Sequence, residues 1–448
     1  MKPNLFLPCA AGVEGLLAAE VARLLPEAAC TALRGGVELA GSARVAMALN
    51  LHSRLAQRVL WRVAEAPYRN EDDLHALACS VRWAEWITPA QTIKVDVTAQ
   101  RSPLQSLNFA ALRIKDGVCD VMREAAGARP SVDTRHPDLP LLLHLTADHA
   151  TLYVDTSGEA LFKRGWREDK GEAPLKETLA AALLAAAGWQ GRPTDGPLLD
   201  PVCGSATIAI EAAQLACGIA PGARRRFAFE RLAPFKDAGA VREWRALRDA
   251  ARAGEHASEV PIFASDVSFR MTDFAARNAE RAGVLGAIEI KTVDALQRLA
   301  PAERGTMLLN PPYGERIEPK GARGQARARP LGRSEAAMQP GLRDAGPARG
   351  GPAREPQTLA SREGFEDGAS AQDFFARLAS HWKRHYPGWT AWVLSPDMKL
   401  PQAMRLKESL RVPMWNGPIE CRLFRFDMVA GSMRGAATDK GEDPGARA

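Results

Sequence analysis

Pro197-Leu198-Leu199-Asp200-Pro201-Val202-Cys203-Gly204-Ser205-Ala206-Thr207 runs from a short apolar strand through a turn of small residues into Ile208-Ala209-Ile210-Glu211-Ala212-Ala213, which reads as a helix. A strand, a tight turn and a helix N-terminus make a nucleotide-sized pocket, because small side chains let the backbone approach a ligand. Alone, the loop is a weak signal. It strengthens downstream, where Ile262-Phe263-Ala264-Ser265-Asp266 and Ile288-Glu289-Ile290-Lys291-Thr292-Val293-Asp294 read as further strands closing on acids. Asp266 is suited to accept from two ribose hydroxyls and Asp294 from an adenine amino group, although each Asp also fits a helix N-cap.

A fourth strand, Thr306-Met307-Leu308-Leu309, ends in Asn310-Pro311-Pro312-Tyr313. Open α/β sheets bind ligands at the carboxyl ends of their strands, so the tetrapeptide stands where chemistry is done. An exocyclic amine on a nucleobase is a poor nucleophile, because its lone pair is delocalised into the ring. The Asn310 side-chain oxygen and the Pro311 carbonyl can hold its two hydrogens and turn the nitrogen toward an electrophile, while Tyr313 stacks on the base. Proline brings no competing N–H and fixes φ, which makes the acceptor pair rigid. A strand ending in a plain Pro-Pro turn is the bland alternative.

The series Asp-Pro-x-Cys-Gly-Ser-x-Thr, Ser-Asp, x-Asp and Asn-Pro-Pro-Tyr-Gly-Glu-Arg resembles the S-adenosylmethionine-dependent N-methyltransferases of the Rossmann-like class. Leu161-Phe162-Lys163-Arg164-Gly165-Trp166-Arg167 and Ala173-Pro174-Leu175-Lys176-Glu177-Thr178-Leu179-Ala180 narrow this to a resemblance to the THUMP-domain RNA methyltransferases, most closely those acting on guanine N2 of large-subunit ribosomal RNA. The resemblance spans about residues 1 to 430 apart from one insert. It implies S-adenosylmethionine as cofactor, with Asp200, Cys203, Gly204 and Ser205 on its methionine side, Asp266 at the ribose and Asp294 at the adenine. Thr207 and Asn310 join the cofactor set, and Asn310, Pro311, Pro312 and Tyr313 form the catalytic corner. One position departs from the pattern. The family usually has glycine where this chain has Ala206, a change costing on the order of 1 kcal/mol if that backbone needs φ > 0.

The implied fold is α/β: a Rossmann-like seven-stranded methyltransferase sheet preceded by small α+β domains, ferredoxin-like plus THUMP. Boundaries are expected at residues 1–60 for the ferredoxin-like domain, 61–156 for THUMP, 157–430 for the methyltransferase and 431–448 for a loose tail. With 448 residues and 46% hydrophobic content, the chain has ample material for packed cores. No basic region followed by an apolar run opens it, and no uninterrupted run is long enough to cross a bilayer, so a cytoplasmic location is expected. A monomer is expected as well. Seven scattered cysteines without a Cys-x-x-Cys pair predict reduced thiols and no metal site. Cys203 has two readings, a nucleophile or a lining residue of the cofactor loop, and its place in that loop favours the second. His381 and His385 lie four apart on what reads as a solvent-facing helix.

In the front third, residues 4–8 read as a strand, 12–25 as a helix, 36–39 as a strand and 42–51 as a helix. Trp83 and Trp86 precede the alternating strand 92–97; they fit core packing better than stacking on RNA. A helix over 108–123 and a hairpin from 141–145 with 151–155 follow. The expected partner is RNA, either large-subunit ribosomal RNA or a pre-ribosomal particle. Candidate RNA contacts are Arg101, Arg113 and Lys115, then Lys163, Arg164, Arg167 and Lys176, with solvated surface charge as the alternative.

Residues 320–362 hold nine basic and three acidic residues, so this stretch carries the whole formal net charge of +6. Rich in Gly, Ala, Pro and Arg, it reads as a disordered insert over 320–368. It fits either a flexible arm gripping phosphates or a tolerated insertion. Beyond it a helix over 371–385, a strand over 389–394 and an antiparallel pair around 405–412 and 419–426 complete the sheet. Three functions remain open: guanine-N2 transfer, adenine-N6 transfer on RNA, and a non-catalytic RNA-binding assembly factor disabled at Ala206.

Overall fold

The computed structural model describes residues 4–171, 174–311 and 371–429. Pro312, Tyr313, the basic insert and the tail lie outside them. Both sheets belong to one compact unit.

The front part runs β1 (Leu5–Pro8), α1 (Glu14–Leu24), β2 (Cys30–Leu33), β3 (Gly36–Leu39), α2 (Ala43–His52), β4 (Leu60–Pro67), α3 (Glu71–Cys79), β5 (Thr92–Ala99), α4 (Leu107–Ala126), β6 (Ser131–Val132), β7 (Leu139–Leu145) and β8 (His149–Asp155). Short polar residues set the helix starts. Ser42 caps α2 through Val45 N, Ser106 caps α4 through Phe109 N, and Asn70 with Asp73 forms a reciprocal capping box on α3. Gly127 ends α4 at φ 72°, the left-handed conformation glycine adopts without steric cost.

These strands form one eight-stranded sheet in the order β2-β3-β1-β4-β8-β7-β5-β6. β4 joins the two front modules into a single sheet, pairing with β1 through Leu5↔Trp61 and with β8 through Leu60↔Asp155. Trp83 is fully buried with its Nε1 donating to the Ala78 carbonyl at 2.8 Å, and Trp86 packs edge-on against Trp61. Both tryptophans are core residues.

The rear part runs α5 (Glu177–Ala186), β9 (Leu198–Asp200), α6 (Thr207–Ala216), α7 (Ala238–Ala253), β10 (Ile262–Asp266), α8 (Phe269–Ala282), β11 (Ile288–Thr292), β12 (Gly305–Leu309), α9 (Ala371–His385), β13 (Trp389–Ser395), α10 (Leu400–Met404), β14 (Leu410–Asn416) and β15 (Ile419–Asp427). Its seven strands are ordered β11-β10-β9-β12-β13-β15-β14, parallel except for β15, which runs antiparallel to both its neighbours. From β9 the chain steps outward through β10 to β11, then crosses to the other side at β12, so the topological switch point lies between β9 and β12. Sheet and helices bury an apolar core from Leu198 and Ile262 to Leu308 and Trp392.

Two local expectations shift. The first strand of the terminal pair begins at Leu410, because Arg405 stands in the left-handed region just past α10. His381 is half-buried rather than solvent-facing, and its Nε2 donates to the Arg298 carbonyl at 2.7 Å. Among the described residues no helix is long and apolar enough to cross a membrane.

Candidate active site

Register places the strand-terminal polar residues around one point. Leu198 lies beside Ile262 of β10 and beside Thr306 of β12, so Ala264 and, by continuation, Leu308 flank Asp200. Asp266 and Asn310 therefore both stand two residues beyond the level of Asp200, one on each neighbouring strand. At ~3.3 Å per residue and ~4.8 Å between strands, each lies roughly 8 Å from it. That is within the reach of one nucleoside.

The turn after Asp200 is held by those acids. Asp266 Oδ2 accepts from the Gly204 N–H and Oδ1 from the Ser268 N–H, each at 2.9 Å, while the Cys203 N–H donates to the Ser265 carbonyl at 2.8 Å. Each carboxylate oxygen carries two lone pairs, so both oxygens of Asp266 keep capacity for a further donor. Asp294 is half-buried, and its Oδ1 accepts from the Leu296 N–H at 2.8 Å, a turn cap that likewise leaves acceptor capacity. Gly204 sits at φ 52°, and a Cβ on it would meet nothing within 4 Å. The backbone thus faces open space beside the buried Asp200 and the partly buried Asp266.

Ala206 also stands in the left-handed region, at φ 63° and ψ 36°, and is fully buried. The chain accepts the L-residue strain that a glycine there would avoid, ~1–2 kcal/mol. Burial pushes the Asp200 carboxyl well above the usual carboxylate range, with the Asp266 charge adding to it. Burial raises Asp266 too, against the two N–H donors that favour its charge. Cys203 is held up by burial and then by Asp200 and Asp266, so its thiol stays protonated and makes no nucleophile.

Asn310 supplies the most telling atom. Its Oδ1 is buried and, among the described residues, has no hydrogen-bond partner. A buried acceptor left unsatisfied costs ~1–3 kcal/mol and is rare in native proteins, so an atom in this state at a strand end is poised for a donor from outside the protein. Pro311 follows, buried, with its ring nitrogen unable to donate.

The basic residues expected to touch RNA separate into two groups. Arg164 is only 2% exposed, and its guanidinium is committed inside the protein: Nε and Nη2 donate to Glu211 at 3.0 and 3.3 Å, Nη1 to the Leu161 carbonyl and Nη2 to the Arg54 carbonyl. Arg54 Nη1 reaches the same Glu211 at 3.4 Å. Arg167 braces the loop instead, donating to Glu177 Oε1 at 2.7 Å, Ser205 Oγ at 3.3 Å and Thr207 Oγ1 at 2.8 Å. Neither has a donor array free for phosphate in this conformation, which corrects both expectations. Arg101, Arg113, Lys115, Lys163 and Lys176 stay at the surface or partly exposed; Arg113 pairs with Asp72, Lys115 with Asp116, Lys163 with Glu159, and Lys176 lies over the Phe162 ring.

One residue was missed from sequence: Asn278, fully buried on α8, donates to the Asp169 carbonyl at 2.8 Å and the Ser205 carbonyl at 3.5 Å. For the misread Arg164 and Arg167 a signal was present, since the acids Glu211 and Glu177 in largely apolar helices demand buried cations.

Known families divide the chain in the same sequence of modules. The RlmL ferredoxin-like domain matches residues 4–60, the THUMP domain residues 68–155, and the RMKL-like methyltransferase domain residues 164–332. A putative RNA methyltransferase from Synechocystis is 31% identical over 425 residues, covering 94% of this chain and 96% of that protein. The chain belongs to the THUMP-domain RNA methyltransferases. Within this family, the ribosomal RNA large subunit methyltransferase K/L of Shewanella loihica is 32% identical over 404 residues, 89% of this chain and 49% of that protein. The chain spans about half the length of such K/L relatives. The fold agrees with the crystal structure of SMU.472, a putative methyltransferase complexed with SAH, at a TM-score of 0.74 and 24% identity over 95% of this chain and 99% of that one.

Proposed function

We propose that this THUMP-domain methyltransferase transfers a methyl group from S-adenosylmethionine to the exocyclic N2 of a guanine in large-subunit ribosomal RNA. The carrying observation is the unpartnered, buried Asn310 Oδ1 at the switch point of the sheet. Family membership, the K/L relatives and the SAH complex of SMU.472 support the cofactor and the RNA substrate.

The residues present fit that cofactor. Open space at Gly204 admits it against the backbone, and Asp200, Cys203, Ser205 and Thr207 would flank its amino-acid end, with Asp266 accepting from ribose hydroxyls and Asp294 from the adenine amine. When bound, the cofactor supplies an electrophilic methyl group on a sulfonium. The protein aligns the acceptor nitrogen. Asn310 Oδ1 and the Pro311 carbonyl accept from the two amine hydrogens, turning the lone pair out of conjugation, and Tyr313 is assigned the stacking role on the base. The amine grows more acidic as it gains the methyl group, so its proton leaves without a strong base.

The decisive experiment incubates the protein and labelled S-adenosylmethionine with ribosomal RNA from cells lacking it. Nucleoside analysis should give N2-methylguanosine. Label in N6-methyladenosine would transfer the assignment to adenine. A non-catalytic RNA-binding role draws its support from the strained Ala206, and the absence of saturable S-adenosylmethionine binding would favour it.

A further inference from the structure

Three arginines converge on a concave site that none of the roles above uses. Arg377, Ser380, His381 and Arg384 recur at i, i+3, i+4 and i+7 along α9, so they share one helix face. Opposite them, Arg405 follows α10, and with Leu296 they line a cavity of about 390 Å³. Arg377, Ser380, Arg384 and Arg405 are exposed. The lining contains no acid, and the sole acid in the α9 sequence is Asp373, in its first turn. Among the described residues none of the three guanidiniums makes an ion pair or hydrogen bond, and all three residues are exposed.

The frame around them is fixed. Arg405 is held at φ 49°, and its carbonyl accepts from Lys383 Nζ at 2.9 Å, which ties α10 to the last turn of α9. His381 Nε2 donates to the Arg298 carbonyl, so the ring is oriented with Nδ1 free. Like charges gathered on one concave wall repel one another, and an anion in the cavity relieves that repulsion. Guanidinium forks match phosphate oxygens in pairs, with the Ser380 hydroxyl as a further donor.

We infer that this cavity binds the phosphodiester backbone of the substrate RNA, giving the methyltransferase part its own grip on the strand, apart from the front sheet. The inference rests on RNA being the substrate. Arg377 and Arg384 are seven residues apart, ~10 Å along the helix axis, a span that consecutive phosphates of one strand fill better than one free anion.

The test is the salt dependence of RNA binding by the full chain. In the triple variant Arg377→Gln, Arg384→Gln, Arg405→Gln, the slope of log affinity against log salt should fall in magnitude by about 2 to 3, with affinity at 0.1 M salt roughly 50- to 500-fold weaker. The charge-matched control is Arg242→Gln, Arg245→Gln, Arg252→Gln on α7, exposed residues interleaved with Glu243 and Asp249, and its slope should change by less than about 1. Equal slopes in the two triples, or an unchanged slope in the first, overturn the inference. Titration of inorganic phosphate separates the two sources of the anion: phosphate binding lost in the first triple without a slope change assigns the cavity to a free anion and overturns the RNA reading. Methyl incorporation by the wild-type protein is read in parallel. No transfer with the slope difference intact sinks the enzymatic reading and leaves the cavity assigned; transfer without a slope difference does the reverse.

Discussion

Replacing Asn310 by alanine should separate stability from activity. In the ligand-free protein the buried Oδ1 lacks a donor, a cost of ~1–3 kcal/mol that the truncation removes. A small cavity offsets part of that gain, so folding stability is expected to hold level or rise by up to about 2 kcal/mol. Catalysis moves the other way. The amine nitrogen gains positive charge as the methyl group arrives, and a hydrogen bond to a charged group contributes ~1.5–3 kcal/mol, or a 10- to 150-fold loss of rate when removed. Urea denaturation of the free protein and single-turnover transfer at saturating cofactor and RNA measure the two effects. A variant destabilised by more than about 1 kcal/mol with transfer unchanged would refute the reasoning and make Asn310 a structural cap.

The remaining expectations concern the buried charges. Glu211→Ala leaves Arg54 and Arg164 without their shared counter-ion and should cost ~3–5 kcal/mol of unfolding free energy by urea denaturation; a cost under about 1 kcal/mol would show that water compensates them. Asp200 and Asp266 have raised folded-state pKa values, so the native state binds their protons more tightly than the unfolded chain. Their contribution to stability is therefore full below the ordinary value near 3.8 and is lost as pH rises through the raised values. Asp200→Asn should accordingly raise ligand-free stability at pH 7 and flatten its decline above pH 4, while weakening cofactor binding. An unchanged pH profile would show that Asp200 ionises normally. Cys203→Ser should retain transfer within about threefold, and the native thiol should resist alkylation at pH 8 until the protein unfolds; rapid labelling of the folded protein would contradict a buried, protonated thiol.

The strands that carry the site were legible because each ends abruptly in a polar residue. β9, β10 and β12 close on Asp200, Asp266 and Asn310 within one residue of the expected positions, since an apolar run followed by a lone acid or amide marks where a strand of an open sheet leaves the core for the ligand crevice. Sheet order was not in the local pattern, because it is set by contacts between strands far apart in the chain. β2 and α7 went unread: Cys30–Leu33 is a four-residue edge strand with mostly exposed side chains, and α7 is so rich in arginine that its apolar stripe is thin. Arg164 and Arg167 misled because arginine is usually a surface residue, and their partners lie 47 and 10 residues away in the chain. The deciding information was in the partners. Glu211 and Glu177 are carboxylates in apolar helices, and such groups are stable only when a cation comes inside with them.

The β4 junction makes the amino-terminal third a single plate, and the Arg54–Glu211–Arg164 cluster bolts that plate to the helix behind the Gly204 turn. Under the proposed function, RNA seated on that plate would be set at a constant offset from the methyl donor, and nucleotide choice would be made by measuring rather than by reading bases. Cutting the chain near residue 60 would forfeit the gauge as well as the fold: β4 would lose a neighbour and Glu211 one of its cations.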